Sequence, residues 1–170
     1  MTRLTKIPPY ELKDNMFESI GREWMLIGAK DPETGRFNMM TASWGCTGIL
    51  WNKPVAIVYI RPQRFTFPIA DKAESYTLSF FTPEYKDALH LCGKVSGRDH
   101  DKLAETGLTL FEDGDYTAFK EARLVLGCKK LYADFIRPEA FIDTSVIDAA
   151  YPQRDFHKFF IAEITDVYKR

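Results

Sequence analysis

The stretch NMMTASWGCTGILWNKPVAIVYIRPQRFT, Asn38 to Thr66, decides how this chain folds. Its strongest part is Val55 to Ile60 (VAIVYI), continuous, β-branched and bounded by Pro54 and Pro62. Such a run between breakers predicts a buried strand. The prolines stand at its ends, where a lost ladder hydrogen bond costs least. Upstream, Thr41, Ala42 and Ser43 bring small side chains and hydroxyls to the end of another strand. Small residues let a ligand approach the backbone, whose N–H and C=O groups can read the edge of a heterocycle. Trp44 and Trp51 offer flat surfaces to an aromatic ring. Downstream, Arg61 and Arg64 flank a proline-containing turn, and their guanidinium groups suit a phosphate. Thr66 adds a hydroxyl near a helix start, a place that also favours an anion.

Working outward, Glu23 to Lys30 (EWMLIGAK) is short and mostly apolar. It meets the turn sequence DPETG and then Arg36 to Ser43, which predicts a hairpin. The opening TKIPPYELKDN is polar and proline-punctuated and is expected to cross a surface before the first strand. Phe65 to Lys72 fits a short helix and Tyr76 to Phe81 a strand. Thr82 stands as a helix cap with Pro83 at the first helical position, and the helix runs to about Leu91. A short helix follows from Asp99. Glu121 to Gly127 and Lys129 to Ile136 look like two adjacent strands, and His157 to Tyr168 like a final one. Five to seven strands with short helices predict a mainly β fold, a β-barrel or α+β domain. The regular alternation of a doubly wound fold is missing, as are both common nucleotide fingerprints.

The chain has 170 residues, which predicts one domain over 1–170 with a sizeable core. With 23 basic and 24 acidic residues it lacks the basic footprint of a nucleic-acid binder. Three cysteines, Cys46, Cys92 and Cys128, give an odd count with no CxxC pair and no disulfide framework. No run is long and apolar enough to span a membrane, and the N-terminus has no signal pattern. A reduced cytoplasmic setting is expected. A metal site drawn from His90, Cys92, His100, Cys128 and His157 matches no zinc spacing.

Lys94, Ser96 and Arg98 form a second group of anion-capable side chains around Gly93 and Gly97. Taken singly, each feature has an ordinary use. The tryptophans suit a core, the arginines a surface and GKVSGRD a solvated loop. Cys46 suits a small buried hydrophobe.

Together, four blocks in order raise a further reading. NMMTASWGCTGILWNKP, VAIVYIRPQRFT, YTLSFF and LHLCGKVSGRDHDK resemble the flavin reductase-like family of FMN-binding split β-barrels, in its flavoredoxin-like branch. The resemblance runs from about Trp24 to the last strand. It implies that Thr41, Ala42, Ser43 and Trp44, preceded by Asn38 and Met40, lie along the flavin. It places Arg61, Arg64 and Thr66 near the ribityl phosphate, and Gly93 to Asp99, with Lys94 and Ser96, across the cofactor. It implies a homodimer in which Phe156, His157 or Phe159 reaches a flavin, from the same chain or its partner. Cys46 departs from relatives that carry Gly or another small residue there. The implied function is an FMN-binding oxidoreductase that takes electrons from NADH or NADPH and passes them to a flavin or protein acceptor. A non-enzymatic FMN-binding electron carrier needs the same pocket and stays open. So does a dimerisation domain that has lost its ligand, although the intact blocks speak against loss. Hydride transfer to a flavin needs no side-chain base, so no catalytic residue is expected.

Overall fold

The computed structural model describes residues 3–170. Its strands are β1 (Thr5–Ile7), β2 (Met25–Lys30), β3 (Phe37–Ala42), β4 (Gly45–Leu50), β5 (Lys53–Ile60), β6 (Ser75–Phe80), β7 (Leu110–Asp113), β8 (Tyr116–Phe119), β9 (Leu124–Phe135) and β10 (Lys158–Lys169). The α-helices are short: α1 (Met16–Glu18), α2 (Thr66–Lys72), α3 (Lys86–Lys94), α4 (Lys102–Thr106) and α5 (Ser145–Ala150).

One antiparallel sheet runs β3-β2-β6-β9-β10-β5-β4, with β1 added alongside β10. It curls until its two ends approach. A Cβ placed on Gly45, at the start of β4, would lie 3.2 Å from the Met25 methyl of β2. Alternation explains the interior. Ala56, Val58 and Ile60 of β5 meet Tyr76, Leu78 and Phe80 of β6 and Phe160, Ala162 and Ile164 of β10 in the barrel core. The opposite face of β2, β6 and β9 packs on α3, α4 and the small β7–β8 hairpin through Leu26, Leu89, Phe119 and Val125.

The mainly β architecture with short helices follows the expectation, as do the β2–β3 hairpin, β5, α2, β6 and β10. Several elements differ. The opening segment is itself a strand, because Thr5, Lys6 and Ile7 pair with Lys169, Tyr168 and Val167. The two strands expected around Cys128 are one, β9, whose ladder to β10 absorbs the irregularity as register shifts. Gly127 sits mid-strand because the Tyr116 ring lies where a Cβ would be, at 2.8 Å. Thr82 makes no side-chain cap. Pro83–Tyr85 form a 3-10 turn, and α3 starts at Lys86 and runs past Leu91 to Lys94. Asp101, rather than a residue near Asp99, caps α4 by accepting from the Ala104 N–H at 3.0 Å. β1, β4, β7 and β8 bring the described strands to ten, above the range expected, and α5 is a further helix the sequence did not announce. None of the described helices is long and apolar enough to cross a membrane.

Candidate functional site

β3 delivers Met40, Thr41 and Ala42 to the open end of the barrel, and Ser43 and Trp44 continue across to β4. The end of β5 delivers Tyr59 and Arg61 beside them, because β5 pairs with β4. The next residues close a tight turn, with the Arg64 N–H donating to the Arg61 carbonyl at 3.0 Å. Pro62 occupies the position a type I or II turn favours. Arg64 thereby swings back toward β3. These side chains and His157, which precedes β10, line a shallow cleft of about 160 Å³. Trp44, 46% exposed, forms its most accessible aromatic wall.

The two arginines are not equivalent. Arg61 is paired with the Asp155 carboxylate and donates to the Ala150 carbonyl at 2.9 Å. It lies over the Trp44 and Tyr151 rings. Hydrogen bonds from Arg61 and then Gln63 hold the Asp155 carboxyl below the usual range. Arg64 has no carboxylate partner among the described residues. Its one hydrogen bond, to the Cys92 carbonyl, is 3.4 Å long, and burial lowers its pKa.

His157 is 7% exposed and shares a 2.9 Å hydrogen bond between Nδ1 and the Tyr151 hydroxyl. With the phenol donating, Nδ1 accepts and Nε2 carries the ring proton. Desolvation, reinforced by the Arg61 charge, lowers its pKa to about 4, so the ring is neutral at pH 7. It stands 5.0 Å from the Trp44 ring and packs edge-on to Tyr59.

Behind β3 the remaining expected residues take varied places. The Asn38 amide donates to the Thr66 hydroxyl at 2.8 Å, and both side chains are buried. Gly97 presses on that pair: a Cβ there would come within 2.5 Å of Asn38 Oδ1. Thr41 donates to the Leu89 carbonyl, and Gly93 packs beside it. The two glycines therefore dock the GKVSGRD loop on β3. The Ser96 hydroxyl accepts from the Arg98 N–H within its own loop at 3.2 Å. Lys94 is exposed. Phe156 stacks on Tyr151 at 4.7 Å and neighbours Phe141, next to the cleft rather than lining it. Trp51 lies at the tip of the β4–β5 hairpin and Phe159 on the outside of β10, so neither lines the cleft. Cys46 is exposed on β4 rather than buried as a small hydrophobe, and partial desolvation of its thiol raises the pKa.

Three contributors carried little sequence signal. Tyr59 was legible only as a strand residue. Tyr151 reaches His157 from the end of α5. Lys102, on α4, is 4% exposed, and its ammonium donates to the Met39 and Cys92 carbonyls at 3.0 Å each. Among the described residues, no three His, Cys, Asp or Glu side chains converge as a metal site.

A curled antiparallel sheet with a polar, aromatic-walled cleft at its open end is a split β-barrel. Residues 17–170 match the model of the flavin reductase like domain, and the chain belongs to that family. Solved structures with the same fold include flavoredoxin from Methanosarcina acetivorans, 21% identical, with a TM-score of 0.67 over 87% of this chain and 68% of that one. An FMN-binding domain of a flavin reductases-like enzyme from Shewanella baltica OS155 is 18% identical, with a TM-score of 0.69 over 99% and 79%. A structure from Shewanella frigidimarina NCIMB 400, described as having a split barrel domain, is 22% identical, with a TM-score of 0.68 over 95% and 77%. Comparison with curated protein sequences gave no match.

Proposed function

We propose that this chain is a single-domain, cytoplasmic FMN-binding oxidoreductase that works as a homodimer. Electrons pass from NADH or NADPH through bound FMN to a flavin or protein acceptor. The observation that carries the reading is the meeting of Met40 to Trp44, Tyr59, Arg64 and His157 around one cleft. The donor set fits the group: a flat aromatic wall, exposed strand-end backbone and an arginine without a carboxylate partner suit a ring system tethered to a phosphate. Flavin, when bound, supplies the two-electron redox chemistry.

The side chains bind and orient. Thr41 to Trp44 would offer small residues and backbone to the ring edge, and Arg64 would hold the phosphate. Asn38, Thr66 and Gly97 hold β3 and the loop in place behind them. His157 stays neutral and offers Nε2–H as a donor without adding charge.

The outer face of β5, β10 and β9 supports the dimer. Ile57 lies opposite Ile161, and Tyr59 opposite Phe159. Tyr132 lies opposite Ile161 on the other side. This apolar strip borders the cleft through Tyr59 and His157, so a second copy there would wall the ligand.

The test is a flavin spectrum. Purified protein given excess FMN and then desalted is expected to keep the absorbance of oxidised flavin. Anaerobic NADH or NADPH then bleaches it. Flavin kept but left unbleached by both donors assigns the chain to the electron carriers. Arg64→Ala is expected to weaken FMN binding by about tenfold or more, the worth of a charge-assisted contact. Failure of the native protein to hold FMN would overturn the reading.

A further inference from the structure

Lys102 is a buried cation that the proposed chemistry leaves unused. It enters from α4 behind β3, where its ammonium bridges the Met39 carbonyl of the site strand and the Cys92 carbonyl near the end of α3. Arg64 donates to that same Cys92 oxygen. The two cations therefore converge on one acceptor within a few ångströms of each other. Neither has a carboxylate partner among the described residues. By contrast, the less buried Arg61 and Arg123 are both paired with acids, and Lys130, which donates to two carbonyls as Lys102 does, has the Asp71 charge nearby.

Two carbonyls satisfy the ammonium's hydrogen bonds but supply only partial charge. Buried charge without a counter-ion is costly, and an anion brought to Arg64 would offset that cost. The other ionisable groups around Lys102 do not supply one. Cys92 is a buried thiol held protonated, its pKa raised to about 11. Arg36, from beside β3, donates to the Gly97 carbonyl and adds positive charge. Of the α4 segment's own groups, Arg98 is cationic, Glu105 faces His100, and Asp101 is spent on the helix cap. Asp99 is exposed in the loop.

On the reading that the cleft takes a flavin, we propose that Lys102 is a positioning residue and hidden charge behind the phosphate end. It fixes the two carbonyls that set Arg64 and the GKVSGRD loop, and so makes the site prefer a phosphorylated flavin over the same ring without phosphate. Burial lowers the Lys102 pKa to about 8, chiefly by desolvation, so its charge is present at pH 7 and lost above about pH 8. A bound phosphate dianion draws the proton back. Affinity for phosphate therefore falls as pH rises past that point, by up to about tenfold per pH unit.

The experiment measures binding of FMN and of riboflavin by fluorescence quenching from pH 7 to 9.5. Native protein is expected to favour FMN, with the FMN-to-riboflavin ratio declining above about pH 8. Titration of the ring itself is common to both probes and cancels in the ratio. Lys102→Met lowers the ratio by about tenfold or more at pH 7, as loss of a nearby charge requires. Lys102→Arg keeps the preference and flattens its pH profile. A ratio independent of pH in the native protein overturns the proposal even if no variant folds. A ratio unchanged in Lys102→Met does the same. Native protein that binds neither probe overturns the flavin reading itself, a result distinct from loss of preference alone.

Discussion

At the scale of single residues, the cleft separates charge by pairing. Arg61 spends its charge on Asp155 and serves as a fixed wall under Trp44, whereas Arg64 keeps its charge for something else. His157 shows the cost of such a wall. Its ring is buried beside a cation and resists protonation. Between pH 6.5 and about 4 the unfolded chain holds a proton at this position and the folded one does not. Stability therefore rises with pH across that window and is lost as pH falls through it, by about 3 kcal/mol in all for a shift of this size. His157→Gln keeps an acceptor for Tyr151 and removes the titration. Its melting temperature, followed from pH 7 to 4.5, is expected to fall less steeply than that of the native protein. Parallel curves would mean that other groups carry the acid sensitivity.

At the scale of elements, the β4–β5 hairpin turns through Trp51 and Asn52, with φ of 52° and 57°. Two left-handed residues make the primed turn whose twist suits a two-residue hairpin. Asparagine tolerates that region, but a bulky tryptophan does so at a cost of about 1–2 kcal/mol. Trp51 is 54% exposed and gains little burial in return. Trp51→Gly is expected to stabilise the isolated chain by about 0.5–1 kcal/mol once glycine's own entropy is deducted. Chemical denaturation checks this, and a loss of stability would show that the indole packs on a neighbour. The same hairpin explains why β4 was not legible. Gly45 and Gly48 interrupt its alternation, and Trp51-Asn52 lacks the Asn-Gly signature of such turns. The merging of two expected strands into β9 has a related cause. Gly127 looks like a break in sequence but is a place where Tyr116 packs flat on the backbone.

At the scale of the whole molecule, the sheet leaves an apolar strip outside the barrel where Tyr132, Phe159 and Ile57 stand together. Tyr132 is 46% exposed, so a charge there costs the separate chain little. On the proposed homodimeric FMN-binding reading, Tyr132→Glu combined with Phe159→Glu is expected to shift the protein from dimer to monomer in sedimentation equilibrium, and to weaken FMN retention with it. A double variant that stays dimeric would move the interface elsewhere. A monomer that keeps FMN unchanged would mean that one chain completes the site.

The sequence by itself determined what is local. Hydrophobic alternation and proline placement marked β2, β3, β5, β6 and β10, and the block Thr41 to Trp44 with the Arg61–Arg64 turn marked one side of the cleft. These follow from neighbours along the chain, where periodicity and turn chemistry act over a few residues. Tertiary structure alone decided which charges are free and which side chains meet. Asp155 neutralises Arg61 across 94 positions, and Lys102 reaches Met39 across 63. Lys102 ends the LHLCGKVSGRDHDK block, but its neighbours do not mark it as buried, since Asp101 beside it is a helix cap and Glu105 follows within the same helix. Burial and pairing are properties of long-range contacts, set only when the curled sheet brings distant segments together.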